Sequence, residues 1–289
     1  MRGITWVRRS PRLAGLLVLV ALAVAGTAAA VAPSKPADLN YVPRSASEIQ
    51  NIDVVRDWIS NYYGDPGRTG NIADDSSYAT ETRSVAADGA SWLKAHKPKS
   101  GEMKAIVLDV DDTTLATWNY EVFSKWIYDP GTNGSYVTGQ LFPAVPGMVD
   151  MVTTASQEGY AVFFLTGRPL SQFDATLGNL TSDSIGVDAG YPTPTTIGRK
   201  GPGDDVGPGL FTKPPVGSYP GFLDKPEFCA DAIAAHASCS TVRYKSGVRA
   251  YIESQGYDIV ASFGDQFNDL EGGFADKTFK MPNPNYYLS

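Results

Sequence analysis

The stretch from Ile106 to Leu115, IVLDVDDTTL, packs three carboxylates into four positions, Asp109, Asp111 and Asp112, directly after an apolar run. Such a run reads as a buried parallel strand, here over residues 104–109. The carboxyl end of a strand is where a doubly wound sheet binds its ligands. Asp109 and Asp111 are two apart, so on a strand both lean to one face. Two carboxylates held together repel, and the site then needs a cation or a shared proton. A hard divalent metal such as Mg²⁺ takes oxygen ligands of this kind. One carboxylate could attack phosphorus while its neighbour handles the proton. The plain alternative is a strand that ends in a solvated acidic turn. An EF-hand does not fit, because the loop counted from Asp109 has Thr114 and Tyr120 where Gly and Glu belong.

Similar strand ends occur twice more. The apolar run 160–165 leads into Thr166-Gly167-Arg168-Pro169, with Pro169 suited to the first turn of a helix whose inner face is Phe173, Leu177 and Leu180. The run 257–263 ends in Gly264-Asp265-Gln266, with Asp269 four residues on, and Lys245 precedes it in a helix that ends near Gln255-Gly256. Three parallel strands would bring all of these groups to one sheet edge. Singly each has a bland reading: Thr166 as a helix cap, Lys245 as a solvated residue, Asp265 and Asp269 as an acidic first turn.

Two helices precede the first strand, over 47–63 and 77–96, with apolar residues at helical spacing. Residues 116–146 hold seven of the aromatic side chains, among them Trp118, Tyr120 and Trp126, with a turn expected at Asp129-Pro130-Gly131. That segment reads as a small cap over the first strand, and most of its aromatics as core. Residues 190–226 contain eight Gly and eight Pro, a density that excludes a long helix and points to an irregular excursion. A helix over 225–236 is expected after it.

The chain's 289 residues are enough for one good-sized core. Arg2, Arg8, Arg9 and Arg12 followed by the apolar stretch from Leu13 to Ala25 and by small residues read as a signal peptide over 1–30, with an extended leader over 31–46. A retained anchor is the alternative, though the apolar stretch is short for a span. Arg8-Arg9 lacks the apolar followers of a twin-arginine signal. Removing residues 1–30 takes away four Arg and no acid, so the formal charge goes from −7 to −11. So acidic a chain is not expected to bind nucleic acid or an anionic membrane. Export makes a disulfide the expected state of the two cysteines, Cys229 and Cys239. Its short loop would contribute roughly 3 kcal/mol or less. His96 and His236 stand isolated, with no metal-ligand spacing.

Taken together, these residues resemble the haloacid dehalogenase-like (HAD) superfamily of phosphatases. Asp109-Val110-Asp111-Asp112-Thr113 matches its first motif, Thr166 its second, Lys245 its third, and Gly264-Asp265 with Asp269 its fourth. Thr166-Gly167-Arg168, Tyr244-Lys245-Ser246, Gly264-Asp265-Gln266 and Pro282-Asn283-Pro284 are similar to the secreted acid phosphatases of subfamily IIIB, the group that includes plant vegetative storage proteins. The resemblance covers roughly 45–289 and leaves 190–226 unassigned. It implies an α/β fold: a three-layer, doubly wound parallel sheet with a small cap and extra N-terminal helices, over 47–289. It implies a secreted, Mg²⁺-dependent acid phosphatase acting on small phosphomonoesters through an aspartyl-phosphate. Asp109 would be the nucleophile and Asp111 the proton donor and acceptor. The metal would be held by the side chains of Asp109 and Asp265 and the backbone carbonyl of Asp111, with Asp269 holding metal-bound water or Lys245. Thr166 and Lys245 would bind the phosphoryl group, and Arg168 is a further phosphate contact. A 5′-nucleotidase, a phosphotransferase and a non-catalytic storage protein on the same fold stay open as alternatives. A serine hydrolase or P-loop reading finds no motif.

Overall fold

The computed structural model describes residues 41–96, 101–181, 184–198 and 206–288. The signal peptide expected over 1–30 and most of the leader lie outside the described residues. From Val42 onward the chain forms one compact unit. No helix among the described residues is long and apolar enough to cross a membrane.

Two helices come first, α1 (Ile52–Tyr62) and α2 (Ser77–Ala95). The sequence places the start of α1 at Ser47. It begins instead at Ile52, where the Asn51 side chain accepts from the Asp53 amide and takes the N-cap. Ser76 caps α2 in the same way. Then follow β1 (Met103–Leu108), the cap helices α3 (Trp118–Ser124) and α4 (Pro130–Thr138), α5 (Met148–Gln157), β2 (Ala161–Pro169) and α6 (Phe173–Leu180). The hairpin β3 (Thr196–Gly198) and β4 (Val206–Pro208) leads to β5 (Leu210–Lys213), α7 (Ala230–Ala234), α8 (Thr241–Ser254), β6 (Tyr257–Gly264), α9 (Phe267–Leu270) and β7 (Thr278–Lys280).

The main sheet has the order β5-β2-β1-β6-β7, and every neighbouring pair is parallel. β1 lies at its centre, with β2 to one side and β6 to the other, which is the doubly wound arrangement. Side chains alternate across the pleat. Ile106 and Leu108 of β1 face one core, with Phe164, Phe263 and residues of α2 and α5. Ala105 and Val107 face the other, with Phe163, Ile259 and α8. Helices therefore cover both faces, in three layers.

Three local expectations are corrected. Asp129-Pro130-Gly131 is a helix start rather than a turn: Asp129 Oδ1 accepts from the Thr132 amide at 2.7 Å and Pro130 takes the first helical position. The segment 190–226 is not merely a surface excursion, because β5 joins the main sheet beside β2. Gly209 makes that approach possible, since a Cβ there would lie 2.5 Å from Phe163 and from the Thr195 carbonyl. The helix expected over 225–236 is reduced to the single turn of α7.

Cys229 and Cys239 form a disulfide that brackets α7, with Cα atoms 5.4 Å apart. His96 pairs with Asp276 at 2.9 Å. Most cap aromatics are core, as the sequence suggests. Trp118 is fully buried, stacks on Tyr63 at 4.3 Å and donates to Asp65, so it ties the cap to the N-terminal helices.

Candidate active site

Because β2, β1 and β6 run parallel and in near register, their carboxyl ends lie side by side. Asp109 extends β1 by one ladder bond, its amide donating to the Phe263 carbonyl at 2.9 Å. The chain then folds back in a tight turn in which Thr114 and Leu115 both donate to the Val110 carbonyl. Asp112 adopts the left-handed conformation there, at φ 50°. It is held by its buried carboxylate, which accepts from the Thr117 amide (2.9 Å) and hydroxyl (2.6 Å). The third carboxylate of the motif is thus a turn fastener.

Lys245 sits in the first turns of α8, 2% exposed. Its ammonium donates to Asp109 Oδ1 and, at 2.7 Å, to Asp269 Oδ1. The other oxygen of Asp269 accepts from the Gln266 amide at 2.8 Å in a capping box on α9. Asp269 also lies so close to the end of β6 that a Cβ on Gly264 would stand 2.4 Å from its own. Asp265 Oδ2 accepts from Gln266 Nε2 (2.6 Å) and Asn283 Nδ2 (2.7 Å). Oxygens of Asp109, Asp265 and Asp269 lie within 4.8 Å of one another.

The electrostatics follow from three buried carboxylates around one ammonium. Burial, then the charge of Asp269, pushes Asp109 up to about 8 against the pull of Lys245. Asp265 is raised well above the carboxylate range by burial and by Asp269, Asp109 and Asp112. Burial works against the Lys245 ammonium, but Asp109 and Asp269 outweigh it and raise the lysine above its ordinary value. Fully ionised, the three carboxylates would carry more negative charge than one lysine neutralises, which is why burial and mutual repulsion raise Asp109 and Asp265. A buried, all-oxygen, excess-anionic set of this kind suits a hard divalent cation.

Asp111 is not in that cluster. Arg168 grips it in a fork, Nε to Oδ2 at 3.0 Å and Nη2 to Oδ1 at 2.6 Å, while Nη1 donates to Thr176. Arg168 therefore spends its guanidinium on Asp111, where the sequence suggests a phosphate contact. Thr166, 1% exposed, accepts from the Arg168 amide at 3.1 Å. Strand β2 runs on through this motif to Pro169 instead of ending before it.

A cavity of about 570 Å³ opens over these groups, with Asp109, Thr166 and Lys245 below and Glu121, Trp126 and Tyr128 of the cap above. The C-terminal segment completes its wall through Asn285, Tyr286 and Leu288. Sequence reasoning gave no role to four residues around the site. Asn283 and Gln266 orient Asp265. Arg249, one turn after Lys245 on α8, donates to the carbonyls of Asp269 (2.6 Å), Gly273 and Glu271 and so holds the α9 loop. Glu121 faces the cavity. Gln266 and Asn283 stand in motifs that the sequence marks, and the i, i+4 spacing of Lys245 and Arg249 is a further signal; nothing in the sequence marks Glu121.

The family model described as HAD superfamily, subfamily IIIB (acid phosphatase) matches residues 43–191 and 230–289, leaving out the segment that carries β5. The stem 28 kDa glycoprotein of Glycine max is 28% identical over 192 residues, 63% of this chain and 59% of that protein. The chain thus spans less than two thirds of that relative. Acid phosphatase 1 of Solanum lycopersicum is 23% identical over 236 residues, 80% of this chain and 74% of that protein. The class C acid phosphatase from Bacillus anthracis has a like fold, with a TM-score of 0.53 at 20% identity over 81% of this chain and 86% of that one.

Proposed function

This chain belongs to the HAD superfamily, subfamily IIIB (acid phosphatase), and from that membership we propose that it is a metal-dependent phosphatase that hydrolyses small phosphomonoesters through an aspartyl-phosphate on Asp109. The observation that carries the reading is Asp109 at the end of β1, held by Lys245 on the floor of the cavity.

In this reading Asp109 attacks phosphorus and the ester P–O bond breaks. Asp111 gives a proton to the departing oxygen, then takes one from the water that cleaves the aspartyl-phosphate. Arg168 keeps Asp111 directed until the phosphoryl group arrives and offers the guanidinium a second anion. Thr166 and Lys245 bind phosphoryl oxygens, and Lys245 offsets the charge shared by Asp109 and the transferring group. Asp109, Asp265 and the Asp111 carbonyl would hold Mg²⁺, with Asp269 securing Lys245. The ion would supply further positive charge to the phosphoryl oxygens. The disulfide between Cys229 and Cys239 supports a secreted location, because such bonds persist in oxidising compartments.

The test is phosphate release from a chromogenic aryl phosphate, with and without chelator, followed by acid-quench trapping of a phosphoenzyme. Release that stops in chelator and returns with Mg²⁺ is expected. Undiminished activity in chelator would overturn the metal-dependent reading.

A further inference from the structure

One ionisable group in the cavity has no part in this reaction. Glu121 lies one turn into α3, 9% exposed, and lines the cavity above Asp109. Its side chain makes no hydrogen bond or ion pair among the described residues. Burial, then the negative charges of Asp112 and Asp111, push its carboxyl up to about 8. The side chain is buried beside Trp118 and Tyr120 while its carboxyl opens to the cavity. Its local hydrogen bonds are all made by the backbone, the amide donating to the Thr117 carbonyl and the carbonyl accepting from the Trp126 amide, which any residue could serve. Among the other polar cap side chains in the cavity, Thr117 is committed to Asp112. The remaining cap wall is Trp126, Tyr128 and Pro130 with one neutral amide, Asn133. A leaving group entering here meets one carboxyl that no side chain among the described residues engages.

We propose that Glu121 is a specificity-determining residue that hydrogen-bonds a hydroxyl or ammonium group on the leaving alcohol, so that the site favours phosphate esters of polyols and amino alcohols over esters of apolar alcohols. The inference rests on the phosphatase reading and names the substrate class of that same cavity. The shared chemistry is a hydrogen-bond donor a few atoms beyond the ester oxygen. A partner removed from a buried hydrogen-bonding group leaves that group unsatisfied, which is why such sites discriminate strongly.

The experiment compares kcat/KM for two matched pairs: glycerol 3-phosphate against propyl phosphate, and phosphoethanolamine against ethyl phosphate. Each ratio is independent of the fraction of enzyme that folds. In the wild type the polar member of at least one pair should lead, and in Glu121→Leu that lead should fall by about tenfold or more. Glu121→Gln separates the two sources: its amide keeps the advantage of a hydroxyl ester and loses that of an ammonium ester. Should the Leu variant not fold, the Gln variant decides on the ammonium ratio and Glu121→Ala on the hydroxyl ratio. Hydrolysis with ratios unchanged from wild type overturns this proposal alone. No hydrolysis of any ester by the wild type overturns the phosphatase reading and this proposal with it.

Discussion

Replacing Asp265 by Asn removes one ionisable carboxyl and almost no volume from the most crowded part of the site. Asp265 is 2% exposed, and one of its oxygens already accepts from Gln266 and Asn283. An Asn can keep its carbonyl oxygen on those two donors and turn its NH₂ toward Asp109 and Asp269. In the metal-free protein Asp265 is raised well above the carboxylate range. Its contribution to stability is therefore fully present below the unfolded value, about 3.9, and is lost as pH rises through the higher folded value. Asn never ionises and escapes that loss. At neutral pH in chelator the variant should be more stable than wild type, by on the order of 1–3 kcal/mol. For a domain of this size each kcal/mol moves Tm by roughly 2–4 °C. Metal works in the opposite direction and offsets most or all of this gain. At a hundred times its Kd a ligand stabilises by about 2.7 kcal/mol, whereas affinity weakened tenfold to a hundredfold leaves about 1.4 to 0.4 kcal/mol. Thermal melts with chelator and with saturating Mg²⁺ read both numbers without any turnover. A variant that is less stable in chelator, with a full Mg²⁺ shift, would refute the idea that Asp265 adds excess charge which a cation relieves.

Asp109→Asn should abolish turnover of every ester, since the amide cannot form a phosphoenzyme. Asp111→Asn should cost about 10² to 10⁴ in rate, more for alkyl than for aryl esters, with phosphoenzyme accumulating on quench; equal losses and no trapped species would tell against the assigned roles. Glu121 has an ordinary value of 4.5 and is raised to about 8 in the fold, so its contribution is present below pH 4.5 and lost as pH rises toward 8. Glu121→Gln should flatten the fall in stability over that window by about 3 kcal/mol or less, measured by denaturant titration in chelator; parallel curves would show that the carboxyl is not raised. Thiol counting should find no free cysteine. Reducing the 229–239 bond should lower Tm by up to roughly 6–12 °C and leave KM nearly unchanged, because the pair lies in the core beside α8 and not in the cavity wall.

How far the site could be read in advance differs residue by residue. Asp109, Thr166 and Asp265 each follow an apolar run, so the strand pattern alone assigns them to strand ends, and parallel order then brings the ends together. Lys245 was legible only through its place between the second and third of these strands, since nothing about a lysine in a helix announces a buried ion pair. The strands β5 and β7 were not legible at all. Four and three residues carry too little periodicity, and β5 lies in a segment whose Gly and Pro content argues against regular structure. The disulfide could be foreseen because only one pairing exists.

The amino-acid sequence by itself determined the central strand, the order of the acidic and basic groups, the cap's aromatic character and the acidic balance of the chain. Each of these depends on local periodicity, residue type or a count. The tertiary structure decided what each charge faces. It gave Arg168 to Asp111, made Asp112 a turn fastener, set Asn283 and Gln266 against Asp265, and left Glu121 in the cavity without a side-chain partner among the described residues. The Arg168–Asp111 and Asn283–Asp265 pairs join residues 57 and 18 positions apart, and even the close pairs, Gln266–Asp265 and Thr117–Asp112, depend on how the chain turns at the strand ends. Such partnerships depend on burial and distance in the folded chain, which no local pattern encodes.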